Sequence, residues 1–241
     1  MIPLKDNIPT QRFPVVTVAL IGLNAAVWLF YERAGPTDSS VLQSAWYPCD
    51  YEGTCQHPDA GPGWPVDAFT SMFMHGSWIH ILGNMLFLWI FGNNVEDSMG
   101  RIRFPIFYLA SGLAAIALQT WVTLHWGTLA DSRVPNLGAS GAIAGVLGAY
   151  FLTYPQARVL TFLILVFVFV PFEVPAIVFL GVWFLFQLWQ GGFSLLAPGS
   201  GSSGVAFFAH IGGFLFGVLT VRLFRKRPPG RAAPAWPRSE P

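Results

Sequence analysis

Four polar residues interrupt stretches of sequence that are otherwise strongly apolar. Ser140 lies in a Gly-Ala-Ser-Gly stretch, His210 lies in an Ala-His-Ile-Gly-Gly stretch, and His80 and Asn84 share a third run. Burying such groups in hydrocarbon costs free energy, so in membranes they usually face one another or a water-filled cavity. A serine, a histidine and further hydrogen-bond donors are the groups that acyl transfer needs. The sequence therefore predicts a serine hydrolase embedded in a membrane.

Ser140 begins the apolar run 140–154, where a nucleophile would benefit from a helix N-terminus. Free backbone N–H groups and the positive end of the helix dipole gather there. An oxyanion formed at Ser140 could accept the N–H of that same residue. The alternative interpretation is a serine that caps the helix between two packing glycines.

His210 lies on a second glycine-spaced segment. Small residues four apart let membrane helices approach closely, and both segments carry such pairs: Gly141 with Gly145, and Gly213 with Gly217. A Ser–His hydrogen bond needs a separation of about 2.6–3.2 Å, so these pairs favour a Ser140–His210 dyad. For His210 alone, the alternative is a structural histidine bonded to a backbone carbonyl.

His80 and Asn84 are four residues apart and therefore share a helix face. Both can donate hydrogen bonds, and an amide is a common oxyanion donor. We predict that they form an oxyanion hole together with the Ser140 N–H. The alternative for Asn84 is a structural hydrogen bond between helices.

Three other ionisable residues are interpreted as structural. His75 is five residues before His80, so in a regular helix it points elsewhere, and it is interpreted as a structural residue near the helix start. Glu96 and Asp97 lie at the opposite, inner end of that segment and are predicted to pack or cap. With no acid singled out, a Ser–His dyad is the economical prediction. The sequence has no His-Glu-x-x-His zinc motif and no pair of mid-span aspartates, so no metal is predicted.

The composition is that of a membrane protein. Hydrophobic residues make up 54% of the chain and charged residues only 10%, against about 25% charged residues in soluble domains. The mean hydropathy is +0.53. No basic stripe for nucleic acid is present, which excludes that class of partner.

A spanning helix needs roughly 20 apolar residues, and six segments are predicted to be spans. They are 15–31, 69–91, 102–126, 140–154, 175–189 and 205–224. The apolar stretch 159–170 precedes Pro171, Glu173 and Pro175. It is predicted to be a loop or a partly embedded segment.

The placement of positive charge orients these spans. Eleven Lys and Arg residues fall in the predicted inner segments, whereas Arg33 and Arg133 alone fall in the outer ones. The predicted fold class is an all-α bundle of six transmembrane helices with both termini cytoplasmic. Its parts are a cytoplasmic N-terminus (1–14), a six-helix domain (15–226) with an ordered outer loop (32–68), and a disordered cytoplasmic tail (227–241). The alternative for the first apolar run is a cleaved signal peptide.

Cys49 and Cys55 are the only cysteines, and both fall in the outer loop. An oxidising compartment favours a disulfide between them. Two free thiols are the alternative, and zinc binding with nearby His57 is a weak signal.

Taken together, these motifs resemble the rhomboid intramembrane serine proteases of the six-helix kind. The matching pieces, in family order, are HGSWIHILGN at 75–84, the stretch 92–100 with its Glu96, GASGA at 138–142, and Ala209-His210 followed by Gly213 and Gly217. The resemblance covers about residues 15–224. It implies that Ser140 is the nucleophile and His210 the general base. It also implies an oxyanion hole formed by His80, Asn84 and the Ser140 N–H, with no metal or organic cofactor.

Two positions depart from the family pattern. Many members carry Trp-Arg in the first outer loop, where this chain has Val66-Asp67, so the anchoring of that loop is left open. Many also carry a tyrosine four residues after the serine that stacks on the histidine. Here that position is Ala144, so His210 must be oriented by another group.

We therefore predict a multi-pass serine endopeptidase that cleaves transmembrane segments of single-span or multi-span proteins in the lipid bilayer. Water must reach Ser140 from the outer face, and the substrate helix must unwind because its peptide bonds are internally hydrogen-bonded. The excess of Arg over Lys hints at a GC-rich bacterial genome, and the predicted location is the inner membrane of a bacterium. The rival predictions are a non-catalytic rhomboid-like protein that binds membrane clients, and a transporter or channel that uses the polar residues as a pathway. No oligomeric state is predicted.

Overall fold

The protein is mostly helical. A computed structural model describes residues 2–35, 38–55, 62–165, 168–196 and 206–226. The longer helices are α1 (Val15–Ala26), α5 (Trp78–Phe87), α7 (Arg103–Trp126), α9 (Ser140–Thr153), α10 (Ala176–Leu196) and α11 (Phe207–Phe224). The short ones are α2 (Asp38–Ser44), α3 (Pro48–Tyr51), α4 (Val66–Thr70), the 3₁₀ turn Ser71–Phe73, α6 (Asn93–Met99) and α8 (Leu129–Ser132). π-Helical turns at Val27–Tyr31 and Leu88–Gly92 extend α1 and join α5 to α6.

Helix α9 lies at the centre of the bundle. Every residue from Gly141 to Tyr150 is buried, and α11 and α7 pack directly against it. The side chains around it are large and fully enclosed, among them Phe104, Phe107 and Tyr108. Because the helix of Ser140 is enclosed on all sides, its first residue is held in a fixed position.

Three described helices are long and apolar enough to cross a membrane by length and composition: Arg103–Trp126, Ala176–Leu196 and Phe207–Phe224. Two shorter apolar helices, Val15–Tyr31 and Ser140–Thr153, match the bounds predicted for the first and fourth spans to within a residue.

The predicted second span begins later than expected. Its helical segment runs from Trp78, not from position 69, and continues through α6 to Met99. Ser77 sets the start: its backbone is extended, and its Oγ accepts the His80 N–H at 3.2 Å. This is the arrangement of an N-cap.

The all-α prediction is wrong in one region, because the described chain contains a three-stranded antiparallel sheet. Strands β1 (Ile2–Asp6), β2 (Arg158–Leu165) and β3 (Val168–Pro175) pair in that order. The stretch 159–170, which was predicted to be a loop or a partly embedded segment, thus lies mainly in the central strand, β2. β-Branched and aromatic residues favour this structure. The prolines lie in the edge strands only, where a missing N–H is tolerated: Pro3, Pro171 and Pro175.

The sheet is attached to the end of α9 opposite Ser140. The Asp6 carboxylate accepts hydrogen bonds from the Tyr150 hydroxyl and, at 2.6 Å, from the Asn94 amide. Asn7 exchanges hydrogen bonds with the backbone of Arg158 at the start of β2. The N-terminal strand therefore joins the bundle to the β2–β3 hairpin.

The described part of the outer loop packs on the bundle. Trp46 is 1% exposed, and its indole N–H donates to the Thr120 hydroxyl of α7 at 2.8 Å. The Thr70 hydroxyl donates to the Ser44 carbonyl at 2.9 Å. The predicted disordered tail, 227–241, lies outside the described residues.

Candidate active site

Ser140 and His210 meet at the interface of α9 and α11. Ser140 is the first residue of α9, and His210 lies in the first turn of α11. The Oγ of Ser140 is 2.8 Å from the Nε2 of His210, and both residues are partly exposed. The sequence predicted this pair, and the structure brings it within hydrogen-bonding distance.

Glycines make this approach possible. A Cβ added to Gly213 would overlap the Gly141 carbonyl, and one added to Gly217 would overlap the Gly145 carbonyl. The two predicted glycine pairs therefore face each other across one interface, as small residues do in close membrane helix contacts. Gly145 also faces α7, because its added Cβ would overlap the Ser111 side chain.

The other ring nitrogen of His210 faces α10. Its Nδ1 lies 2.8 Å from the amide oxygen of Gln187, which is 5% exposed. One turn earlier on α10, the Trp183 ring lies 5.8 Å from the His210 ring, centroid to centroid. Gln187 was not among the residues predicted from the sequence. The available signal was a side-chain amide in an otherwise apolar helix, which is costly to bury unless it is hydrogen-bonded.

The His80 side chain extends from α5 towards Ser140. A Cβ on Gly138 would lie 2.8 Å from His80 Nε2 and 3.7 Å from Ser140 Oγ, so both groups converge on this glycine. Gly138 has φ +122°, which also favours glycine. The Nδ1 of His80 accepts the Gly76 N–H at 3.3 Å. In a neutral ring the Nε2 then carries the proton and can donate it.

Asn84 follows His80 by one turn of α5 and is 8% exposed. Within the described residues its buried amide nitrogen has no hydrogen-bond partner. An unpartnered buried donor is costly, and this one is available to an acceptor that arrives with a substrate.

His75 is not where the helical spacing placed it. It precedes α5, in a non-helical connection, and its ring contacts the His80 ring edge-on at 5.1 Å. The expectation that it points elsewhere is wrong because that expectation assumed a regular helix. Its backbone N–H donates to both oxygens of the fully buried Glu32 carboxylate at 3.1 Å. Burial raises the pKa of Glu32 to about 7.

Glu96 caps a helix, which is one of the two structural roles predicted for Glu96 and Asp97. The Glu96 carboxylate accepts the backbone N–H groups of Val16 and Thr17 at 3.0 and 2.7 Å, at the N-terminus of α1. Asp97 accepts the Gln11 N–H at 2.8 Å. None of these hydrogen bonds involves the Ser140–His210 pair.

The two departures from the family pattern have local explanations. Asp67 is 3% exposed, and its carboxylate accepts the Gly63 N–H at 2.9 Å, which ties α4 to the preceding turn. Burial raises the pKa of this carboxyl. Ala144 is buried where α9 meets Gly213 of α11.

Cys49 and Cys55 are joined by a disulfide with a Cα–Cα distance of 5.0 Å. Together with Asp50 they place three potential metal ligand atoms within 4.8 Å of one another. A sulfur in a disulfide is not a thiolate, so these groups do not form a zinc site in this state. His57, the other ligand considered, lies outside the described residues.

The sequence is similar to those of known proteins. Residues 63–227 match the rhomboid domain. The chain is 33% identical over 159 residues to Rhomboid protein 1, mitochondrial, of Saccharomyces cerevisiae, a match that covers 64% of this chain and 40% of the yeast protein. It is 32% identical over 154 residues to the human Presenilin-associated rhomboid-like protein, mitochondrial, covering 61% of this chain and 35% of that protein.

A bacterial relative is matched as well. The chain is 30% identical over 140 residues to the Putative rhomboid protease YdcA of Bacillus subtilis, covering 58% of this chain and 62% of YdcA. The aligned region spans less than half the length of the yeast and human relatives. The rhomboid domain match extends over more than half of the chain and includes α5, α9, α10 and α11. This chain is therefore an integral membrane protein of the rhomboid family.

Proposed function

We propose that this protein is an intramembrane serine endopeptidase that cleaves transmembrane segments of other membrane proteins. Ser140 is the nucleophile and His210 the general base. The observation that carries the proposal is the 2.8 Å contact between Ser140 Oγ and His210 Nε2, which lies within the range needed for direct proton transfer.

The chemistry follows from this contact. His210 Nε2 takes the Ser140 proton as Oγ attacks the scissile carbonyl carbon, and the carbonyl oxygen becomes an oxyanion. The imidazolium then gives this proton to the leaving amine as the C–N bond breaks, which leaves an acyl group on Ser140. A water molecule, deprotonated by the same nitrogen, hydrolyses the ester and restores the serine.

The oxyanion hole is assigned to the Ser140 N–H, the His80 Nε2–H and the Asn84 amide. Two features support this assignment. His80 Nε2 and Ser140 Oγ converge on Gly138, and the Asn84 nitrogen is a buried donor with no partner in the described part of the chain. Donors held in place before reaction stabilise the developing charge without reorganisation.

The membrane arrangement is part of the proposal. Six spans with both termini cytoplasmic agree with the distribution of Lys and Arg, and they place Ser140 near the outer face, where water can reach it. The proposed domain is 15–226, with its outer loop at 32–68. Single-span and multi-span proteins are the proposed substrates. The inner membrane of a bacterium stays a prediction, since the relatives named above include mitochondrial proteins.

An activity-based fluorophosphonate probe tests the proposal. The purified protein is labelled in detergent, and the adduct is mapped by mass spectrometry. Labelling of Ser140 that is lost in His210→Ala is the expected result. A wild-type chain that is not labelled at Ser140 would instead favour a non-catalytic protein that binds membrane clients.

A further inference from the structure

Helix α10 contributes two side chains to the surroundings of His210, and neither belongs to the Ser–His pair. Trp183 and Gln187 are four residues apart, so they lie on the same face of α10. The Trp183 ring lies beside the imidazole, 5.8 Å between centroids. The Gln187 amide oxygen lies 2.8 Å from Nδ1.

The hydrogen bond at Nδ1 decides what Nε2 can do. An amide oxygen can only accept, so Nδ1 must carry the proton that it donates to Gln187. In a neutral imidazole the other nitrogen, Nε2, is then left with its lone pair. That lone pair faces the Ser140 hydroxyl at 2.8 Å. The opposite tautomer would present an N–H to Ser140 and could not accept its proton.

We infer that Gln187 is the positioning residue of the base, an uncharged counterpart of the acid in a Ser-His-Asp triad. This inference rests on the proposed function. Gln187 selects the tautomer of His210 and fixes the plane of its ring, while Trp183 limits the movement of the ring from the side. This arrangement also answers the question raised by Ala144, since α10 orients the histidine instead of the residue one turn after the serine.

A neutral partner differs from a carboxylate in one respect. It fixes the ring but adds no negative charge beside the imidazolium that forms during the reaction. For a buried site this avoids placing a charge in a low-dielectric region, where an unpaired carboxylate is expensive. Gln187 is 5% exposed, so the amide supplies the acceptor without that cost.

The test compares three variants with the wild type by the rate of fluorophosphonate labelling at Ser140. Gln187→Leu removes the acceptor at similar size, and Gln187→Glu keeps an acceptor. Gln190→Leu makes the same chemical change one turn further along α10, at a partly exposed residue. We expect Gln187→Leu to slow labelling by about 10- to 100-fold, a part of the roughly 10²–10⁴ that general base catalysis contributes. Gln187→Glu should restore most of the rate, and Gln190→Leu should label like the wild type.

A second measurement reads the tautomer directly. Nitrogen NMR of ¹⁵N-histidine-labelled protein, with His210 assigned by His210→Ala, should show the proton on Nδ1 in the wild type. Gln187→Leu should give a mixture of tautomers. A change confined to overall packing would not produce this result, and the reading does not depend on turnover.

The outcomes separate the two proposals. Labelling of Ser140 at the wild-type rate in Gln187→Leu would overturn the role of Gln187 and leave the proposed function standing. An unchanged tautomer in that variant would also overturn it. Absence of labelling in the wild type would overturn the proposed function and, with it, this inference. If Gln187→Leu does not fold, the tautomer in the wild type and the rate of Gln187→Glu decide the question.

Discussion

The Nε2 of His210 lies 2.8 Å from the Oγ of Ser140, although 70 positions separate them in the chain. The contact depends on two helices that meet through glycine. Ser140 and His210 each occupy the first turn of their helix. On α11 the facing glycines, Gly213 and Gly217, lie one and two turns after His210, and on α9 Gly141 directly follows Ser140 and Gly145 lies about one turn further on. The distance between Ser140 and His210 thus depends on how closely the two backbones pack. Substitutions at the packing glycines should therefore change activity, although these glycines take no part in the reaction.

Gly217→Val should abolish or strongly reduce activity without touching a catalytic group. An added Cβ overlaps the Gly145 carbonyl and lies 3.0 Å from the Ala149 nitrogen. Backbone atoms cannot turn away as a side chain can, so α11 must move from α9. The fluorophosphonate labelling rate measures the effect. Gly22→Val is the matched control, because an added Cβ on α1 meets nothing within 4 Å. Wild-type rates in Gly217→Val would contradict the importance of this contact.

Asn84→Ala should lower kcat by about 10²–10³, the usual cost of losing one oxyanion donor. The effect on KM should be smaller, since such a donor acts mainly in the transition state. Steady-state kinetics on a cleaved substrate check this, with the remote Asn93→Ala as the control. An effect on KM alone would move Asn84 to substrate binding.

The stability of the outer end of the bundle should depend on pH through Glu32. Burial raises the pKa of its carboxyl from 4.5 to about 7. Because the folded value is the higher one, Glu32 contributes to stability below pH 4.5, and this contribution is lost as the pH rises through about 7. A shift of this size corresponds to about 3 kcal/mol.

Thermal unfolding of the wild type and Glu32→Gln between pH 4 and 8 measures this dependence. The amide can still accept the His75 N–H but does not ionise, so the variant should lose less stability as the pH rises. Glu52→Gln, at an exposed position of the outer loop, should follow the wild type. Parallel curves for the wild type and Glu32→Gln would show that Glu32 does not cause the dependence.

Cys49 and Cys55 should be bridged in the isolated protein, as their Cα–Cα distance of 5.0 Å allows. The closed loop is short, so its stabilisation should be modest. Reduction should loosen the outer loop without stopping catalysis. A non-reducing mass measurement after alkylation tests the bridge, and two alkylatable thiols before reduction would argue against it. Loss of activity on mild reduction would tie the loop to the active site.

The sequence predicted the helices well where their signal is local. The bounds of α7, α9 and α11 lie within two residues of the predicted spans, because a long apolar run between polar ends is most stable in a membrane as a spanning helix. The sheet could not be predicted in the same way. A short apolar run does not distinguish a strand from a buried segment, and β2 pairs with β1, which lies more than 150 residues earlier.

In the site, too, residues that stand out within their own segment could be predicted, whereas residues whose role depends on another part of the structure could not. Ser140, His210, His80 and Asn84 were predicted because each stands out as a polar residue in an apolar run. His75 was misplaced because its direction depends on where Ser77 starts the helix. Gln187 was missed because its role depends on a hydrogen bond to His210, which lies 23 positions further along the chain.

Cleavage of a single-span substrate in proteoliposomes, compared between the wild type and Ser140→Ala, tests the central claim most directly. The substitution removes one oxygen atom, and the fold should persist because the side chain is small. We expect the wild type to give defined fragments, mapped by mass spectrometry to a site within or beside the transmembrane segment, and Ser140→Ala to give none. Fragments produced by Ser140→Ala at a rate above background would contradict the assignment of Ser140 as the nucleophile.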